Sequence, residues 1–228
     1  SQKVEYTARR FGYQGYYLDW KLLAQDPRID IFDNCTPDDQ HFLPSMVAME
    51  NGKHVICEKP LTLKLDEAKQ MVRKARETGV KTMCCYNYRF LPAVRLARQL
   101  IEQGVLGKIY HFRAKYLQQA GHDPNTPLEK VWYAHGTCSG TLLGIGCHIL
   151  DMARFLVGEV TALSGLKKTF IPSRKNLNGE IFPVSTDEGT IALLEFNNGA
   201  IGTLESSGVC TGRKNQQGWE INGSKGSL

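Results

Sequence analysis

The sequence predicts an α/β protein: a parallel sheet built from βαβ units, followed by an α+β domain with a mixed, largely antiparallel open sheet. Three observations carry this. Apolar, strand-like runs alternate with helical segments through residues 29–86, a rhythm that implies parallel strands joined by right-handed crossovers. Beyond residue 88 that rhythm gives way to one long alternating strand, one almost wholly apolar helix and then strands only. Two of the late strands are joined by Asn197-Asn198-Gly199, a hairpin signal. The boundary therefore falls near residue 88, giving domains over 1–88 and 89–228.

Each element has a local reason. Val4, Ala8 and the basic Arg9-Arg10 read as the end of a helix over residues 1–10. Asp19 offers an N-cap to a short helix through Trp20, Leu22 and Leu23, which Asp26-Pro27 ends. Residues 29–35 read as a strand stopped by Thr36-Pro37-Asp38. A helix over 39–50 turns Phe42, Met46, Val47 and Met49 inward and stops at Asn51-Gly52. Leu65 to Thr78 is an amphipathic helix with Leu65, Ala68, Val72 and Ala75 as its inward stripe and Gly79 beyond its end. Residues 80–86 give the next strand. Pro92 opens a helix that Gly104 and Gly107 end. Residues 108–118 alternate as a half-buried strand, with Tyr110, Phe112, Ala114 and Tyr116 on one side. A loop rich in Gly, Pro, His and Asn covers 119–137, and long loops of this kind are often functional. Residues 139–157 form a buried helix. Strands follow over 160–171, 190–196 and 200–206, and another begins at Trp219.

Composition narrows the function classes. The 228 residues carry a net charge of +5, but the basic residues are scattered rather than gathered on one face. A nucleic-acid surface should cluster them, so no nucleic-acid partner is expected. No apolar run reaches the roughly 20 residues of a membrane span, and no membrane partner is expected. Seven cysteines occur without a C-x-x-C pair, which suits a reduced, cytoplasmic protein. His135, Cys138 and His148 match no compact zinc spacing, so no metal is assigned.

The chemistry-bearing residues gather at predicted strand ends. Val55-Ile56-Cys57 runs into Glu58-Lys59-Pro60, and ligands of open α/β sheets bind beyond the carboxyl ends of the strands. Lys59 there is either one half of a surface Glu-Lys turn or a cation that binds an anion or moves a proton. Pro60 is a candidate cis proline. Thr36-Pro37 with His41, and Asn87 with Arg89, stand at the ends of the neighbouring strands. On the apolar helix, Gly144, His148 and Asp151 fall at i, i+4 and i+7, one face of an α-helix. His148 is either a buried histidine satisfied by a carbonyl or an acid/base that Asp151 orients.

In ordered combination these segments resemble the Gfo/Idh/MocA oxidoreductases, relatives of glucose–fructose oxidoreductase and inositol dehydrogenase. The matching text includes Thr36-Pro37-Asp38-Asp39-Gln40-His41, Gly52 through Glu58-Lys59-Pro60-Leu61, Tyr86-Asn87-Tyr88-Arg89, Gly107-Lys108-Ile109 and Gly146-Cys147-His148-Ile149-Leu150-Asp151. It covers nearly the whole chain. The resemblance implies a Rossmann-type domain binding NAD or NADP, a second domain for substrate and for homo-oligomer contacts (dimer or tetramer), and hydride transfer to or from a sugar, cyclitol or related polyol. It makes Lys59 and His148 catalytic. It places Thr36, Pro37, His41, Glu58, Lys59 and Asn87 at the cofactor, and Arg89, Tyr116, Trp132 and Asp151 at the substrate. Two other readings stand beside it: transient oxidation of a glycoside with the cofactor recycled, and a non-enzymatic sugar or dinucleotide sensor.

Three departures from the family pattern matter. No Gly-x-Gly-x-x-Gly turn follows a first strand, so the parallel sheet is expected to be incomplete and the chain to be the middle of a longer polypeptide, ending inside its second sheet. Gly144 stands where relatives often carry Asp. Tyr133 stands where an arginine is common. The last two motivate the sensor reading.

Overall fold

The computed structural model describes residues 2–134 and 139–228, and its contacts divide the chain into two compact units, 1–85 and 86–228. In the first unit, helices α1 (Gln2–Phe11) and α2 (Trp20–Gln25) precede strand β1 (Ile31–Asn34). The Asp19 carboxylate caps α2 by accepting from the Lys21 N–H at 2.9 Å. Helix α3 (Phe42–Glu50) leads to β2 (His54–Cys57), and α4 (Leu65–Thr78) leads to β3 (Thr82–Cys84). The three strands pair in parallel in the order β1-β2-β3. Ala24, Phe32, Ala48, Met49, Val55, Cys57 and Met71 make the core of this unit.

The inward stripe of α4 differs from the expected one. Leu65 and Val72 are 70% and 45% exposed, whereas Met71 is buried and Ala75 packs beside it. Met71 and Ala75 are four apart and share a face, and Val72 stands roughly 100° round from Met71. The strand expected over 80–86 shortens to three residues. Cys85 N–H still donates to Cys57 carbonyl at 2.9 Å, and the backbone then leaves the sheet for a 3₁₀ turn, Asn87–Phe90.

In the second unit, α5 (Pro92–Glu102) and β4 (Ile109–Leu117) are followed by the loop, whose residues 135–137 lie outside the described residues. A π-helical turn, Leu142–Gly146, runs directly into α6 (Cys147–Leu156). Strands β5 (Val160–Lys168), β6 (Ser173–Lys175), β7 (Ile181–Pro183), β8 (Gly189–Phe196), β9 (Ile201–Ser207) and β10 (Gln216–Gly223) complete the chain. The main sheet runs β10-β4-β9-β8-β5, with β4 and β9 parallel and every other pair antiparallel. Gly199, at φ 83°, closes the β8–β9 hairpin. The α6 helix packs on the sheet face formed by Phe112, Ala114, Tyr116, Leu194, Phe196, Leu204 and Ile221.

The phase of β4 reverses at its start. Ile109 is buried and Tyr110 is 54% exposed, while Phe112, Ala114 and Tyr116 face inward as expected. The pairing with β10 skips Tyr110, matching His111 to Asn222 and Ile109 to Gly223. One extra residue in a ladder turns every side chain beyond it to the other face.

The β6–β7 hairpin was not foreseen. It carries Arg174, whose side chain forms a fully buried ion pair with Glu188 at 3.1 Å. Arg174 Nη2 also donates to Gly121 carbonyl at 2.5 Å, and Nη1 to Asp123 carbonyl at 2.8 Å. Glu188 accepts from the N–H groups of Phe170 and Ile171, both at 2.7 Å. Arg174 Nε alone is left without a partner among the described residues, and breaking a buried pair held in this way costs several kcal/mol. Arg174→Met is expected to lower unfolding stability by about 3–5 kcal/mol in urea titrations, and Arg174→Lys to recover only part. A loss below about 1 kcal/mol would contradict this role.

Candidate functional site

In the first unit the carboxyl edge of the sheet is built on two buried polar side chains. Asn34, at the end of β1, is 1% exposed. Its Nδ2 donates to His41 carbonyl and to Ser45 Oγ, both at 3.0 Å, and its Oδ1 accepts from Thr36 Oγ1 at 2.7 Å. His41 is fully buried. Its ring nitrogens face the carbonyl oxygens of Pro60 at 2.6 Å and Thr36 at 2.9 Å. The ring, expected at the cofactor, here joins the Thr36 loop to the Lys59-Pro60 loop. The Lys59–Pro60 bond is cis.

In front of that layer Pro37 is exposed, and Thr36, Glu58 and Lys59 are half-buried. The Glu58 carboxylate accepts from the Lys59 N–H at 3.1 Å. An edge with a carboxylate acceptor, a hydroxyl and an ammonium suits the ribose hydroxyls and carboxamide of a nicotinamide nucleotide, so these residues fit that half of NAD(P). Burial pushes Cys57 up to about 12, and burial with the Asp33 contact pushes Cys35 up to about 11. Both stay neutral thiols, poor nucleophiles near neutral pH.

In the second unit the sequence-derived residues separate into two groups. Arg89 and Asp151 bind each other: Nε to Oδ2 at 2.8 Å and Nη2 to Oδ1 at 2.5 Å. The guanidinium also lies 5.0 Å from the Phe155 ring centroid. Asp151 is buried in this pair, so it does not orient His148 as expected. The Arg89 side chain stays 39% exposed beyond this pair, whereas Asp151 is buried within it. The pair fixes the Asn87–Phe90 turn to α6, leaving Asn87 exposed.

His148 belongs to the second group. It is 7% exposed and sits among tyrosines, with ring centroids 4.5 Å from Tyr88, 6.0 Å from Tyr86 and 6.5 Å from Tyr116. The Tyr88 and Tyr116 hydroxyls are 3.1 Å apart, Gln217 Nε2 donates to Tyr88 at 2.5 Å, and Gln118 Nε2 donates to Asn215 Oδ1 at 2.8 Å. Tyr88, Gln118, Asn215 and Gln217 were not singled out from the sequence. Their placement depends on the pairing of β10 with β4, which puts Gln216 opposite Leu117 and Gln217 opposite Tyr116. Hydroxyl and amide groups of this kind donate and accept, which suits recognition of a polyhydroxylated ligand.

The i, i+4 relation expected between Gly144 and His148 belongs to an α-helix, whereas Gly144 lies in the π turn. A Cβ added to Gly144 would stand 2.3 Å from Trp132 Cζ3, so the Trp132 ring fills that space. Trp132 is 38% exposed. Tyr133 is fully buried with Val131, Ala134 and Val184, and its hydroxyl packs against Gly121 and Gly208. Both departures thus have packing reasons. Of the weighed zinc residues, His135 and Cys138 lie outside the described residues. Among the described residues no helix is long and apolar enough to cross a membrane.

Comparison with known proteins gives consistent matches. Residues 1–86 match the family model described as "Oxidoreductase family, NAD-binding Rossmann fold", and residues 94–228 match "GFO/IDH/MocA C-terminal domain". A levoglucosan dehydrogenase of Pseudarthrobacter phenanthrenivorans is 38% identical over 97% of this chain and 60% of its own length. A scyllo-inositol 2-dehydrogenase (NAD(+)) of Bacillus subtilis is 30% identical over 90% of this chain and 56% of its own. A solved levoglucosan dehydrogenase in complex with NADH and levoglucosan superposes with a TM-score of 0.93 at 38% identity, covering 99% of this chain and 60% of the other. The chain spans about 60% of the length of these relatives.

The tyrosine pair makes a pH prediction. Burial first, and then the hydrogen bond to Tyr88, pushes Tyr116 up to about 12 from 10.0. The folded protein holds this proton where the unfolded chain has lost it. That contribution to stability is complete below pH 10 and is lost as pH rises through about 12. Urea midpoints are expected to fall across this window, and to fall less in Tyr116→Phe. An identical fall in both proteins would contradict the assignment.

Proposed function

The chain belongs to the Gfo/Idh/MocA oxidoreductase family, and on that premise we propose that it works as an NAD(P)-dependent dehydrogenase of a sugar, cyclitol or related polyol. The observation that carries this reading is the His148 cluster, a histidine held among three tyrosines beside a neutral network of hydroxyls and amides. Such a surface holds a ring bearing several hydroxyls and presents an imidazole to one of them.

NAD or NADP, when bound, supplies the hydride acceptor that the side chains lack. Thr36, Pro37, Glu58 and Asn87 hold its nicotinamide half in this proposal. Lys59 takes the proton of the reacting hydroxyl, and His148 hydrogen-bonds that hydroxyl or its neighbour. Tyr116, kept protonated, serves as a donor. The sensor reading loses its motive, because Gly144 and Tyr133 are explained by what packs on them. The six described cysteines are free thiols, which supports a cytoplasmic setting.

We further propose a homo-oligomer formed through the outer face of the main sheet. Leu166 and Ile191 are register partners there, and with Leu193 and Ile201 they form an exposed apolar strip. Leu193→Glu is expected to lower the mass measured by light scattering, and an unchanged mass would contradict this face.

The dehydrogenase reading is tested by titrating NADH and NADPH into the intact protein and following nicotinamide fluorescence. A screen of sugars and cyclitols for NAD(P)-linked oxidation follows. Saturable binding of one cofactor and turnover of a polyol are expected, and binding of neither would overturn the reading. Lys59→Ala is expected to lose about 10²–10⁴-fold in kcat. Near-normal turnover would remove Lys59 from the proton transfer.

A further inference from the structure

Gly144 owes nothing to its own backbone. Its φ lies outside the left-handed region that glycine alone favours, so any L-residue suits its conformation. What a side chain there would meet is Trp132: Cζ3 at 2.3 Å and Cη2 at 2.5 Å from the added Cβ. Glycine at 144 is therefore the condition for the indole to lie flat against this turn of helix. The turn runs straight into α6, so the ring packs on backbone four residues before His148.

The indole is also held at its edge. Tyr133 meets it at 87° with centroids 5.1 Å apart, and Tyr133 is itself fully buried. Yet Trp132 keeps 38% of its surface exposed. A large ring, fixed on two sides and open on another, is a stacking platform with few conformations left to lose on binding. Among the described residues, the hydroxyl and amide groups linked to the tyrosines about His148 are Tyr88, Tyr116, Gln118, Asn215 and Gln217, all neutral. The guanidinium of Arg89 is already paired in bidentate fashion with Asp151.

Building on the dehydrogenase reading, we infer that Trp132, admitted by Gly144, is a specificity-determining platform that stacks on the C–H face of a neutral ring substrate. Neutral pyranosides, anhydrosugars and cyclitols are taken, and sugar carboxylates are disfavoured. An apolar ring packed on the turn that leads into α6 selects by shape and stacking, and the hydroxyls and amides described in this unit about His148 offer a carboxylate no counter-charge.

The test uses the intact protein with levoglucosan, methyl α-D-glucopyranoside and myo-inositol as neutral probes and D-glucuronate and methyl glucuronoside as charged ones. NADH binding and the thermal midpoint are followed in every variant. Trp132→Ala is expected to raise KM for the best neutral probe about tenfold, with NADH affinity unchanged, and Trp132→Phe to restore most of the loss. Gly144→Ala is expected to raise KM in the same direction by displacing the ring. The double variant should be no worse than Trp132→Ala, because both substitutions act on one contact. An unchanged KM in Trp132→Ala, additive effects in the double variant, or a wild-type preference for the glucuronates would overturn the inference while leaving the dehydrogenase intact. Wild-type protein that neither binds NADH or NADPH nor oxidises any probe would instead overturn the underlying reading, and this inference with it.

Discussion

Backbone that leaves a buried strand or helix must still find hydrogen-bond partners, and this constraint shapes every loop that carries chemistry here. In the first unit Asn34 and His41 answer it. Asn34 accepts from the Thr36 hydroxyl, and the His41 ring lies between the Thr36 and Pro60 carbonyls and donates to one of them, so that the two strand-end loops are fixed to each other. In the second unit Arg174 satisfies the carbonyls of Gly121 and Asp123 from beneath the long loop, and Glu188 balances its charge. Arg89 and Asp151 instead tie the Asn87–Phe90 turn to α6 through a side-chain ion pair. None of these side chains needs to touch a ligand. Each determines where one that does will stand.

The proposed substrate surface depends on close approach between elements. Its floor is β4 and β10, which bring Tyr116 opposite Gln217. Its wall is the helix bearing His148. The π turn before α6 alters the phase of that helix, and Gly144 leaves room for Trp132. Among the described residues the ring neighbours of the imidazole are tyrosines, and Asp151, three residues further along α6, is occupied by Arg89.

Periodicity and punctuation made most of the fold legible. The βαβ rhythm, the Asp19 cap, the limits of α4 and the Asn197-Asn198-Gly199 hairpin all follow from local residue choice. The misses are places where tertiary context outweighs local pattern. The β4 bulge at Tyr110 depends on its partner β10, and the π turn inserts into a segment whose apolar pattern suits an α-helix equally well. Polar residues showed their type but not their partners inside the protein: the carbonyls facing His41 and the pairing of Arg89 with Asp151 join segments far apart in sequence. Gln118, Asn215 and Gln217 carried no signal at all, since an amide in or beside a strand has meaning only once the register is known.

The most direct measurement is the transfer of a single deuterium. A neutral polyol that the protein oxidises would be prepared with deuterium at the reacting carbinol carbon and turned over with oxidised cofactor. The account predicts one deuterium in the reduced nicotinamide, released in a one-to-one ratio with oxidised sugar, and strongly slowed release in Lys59→Ala. Reduced cofactor without label, or product formed with no net reduced cofactor, would contradict it.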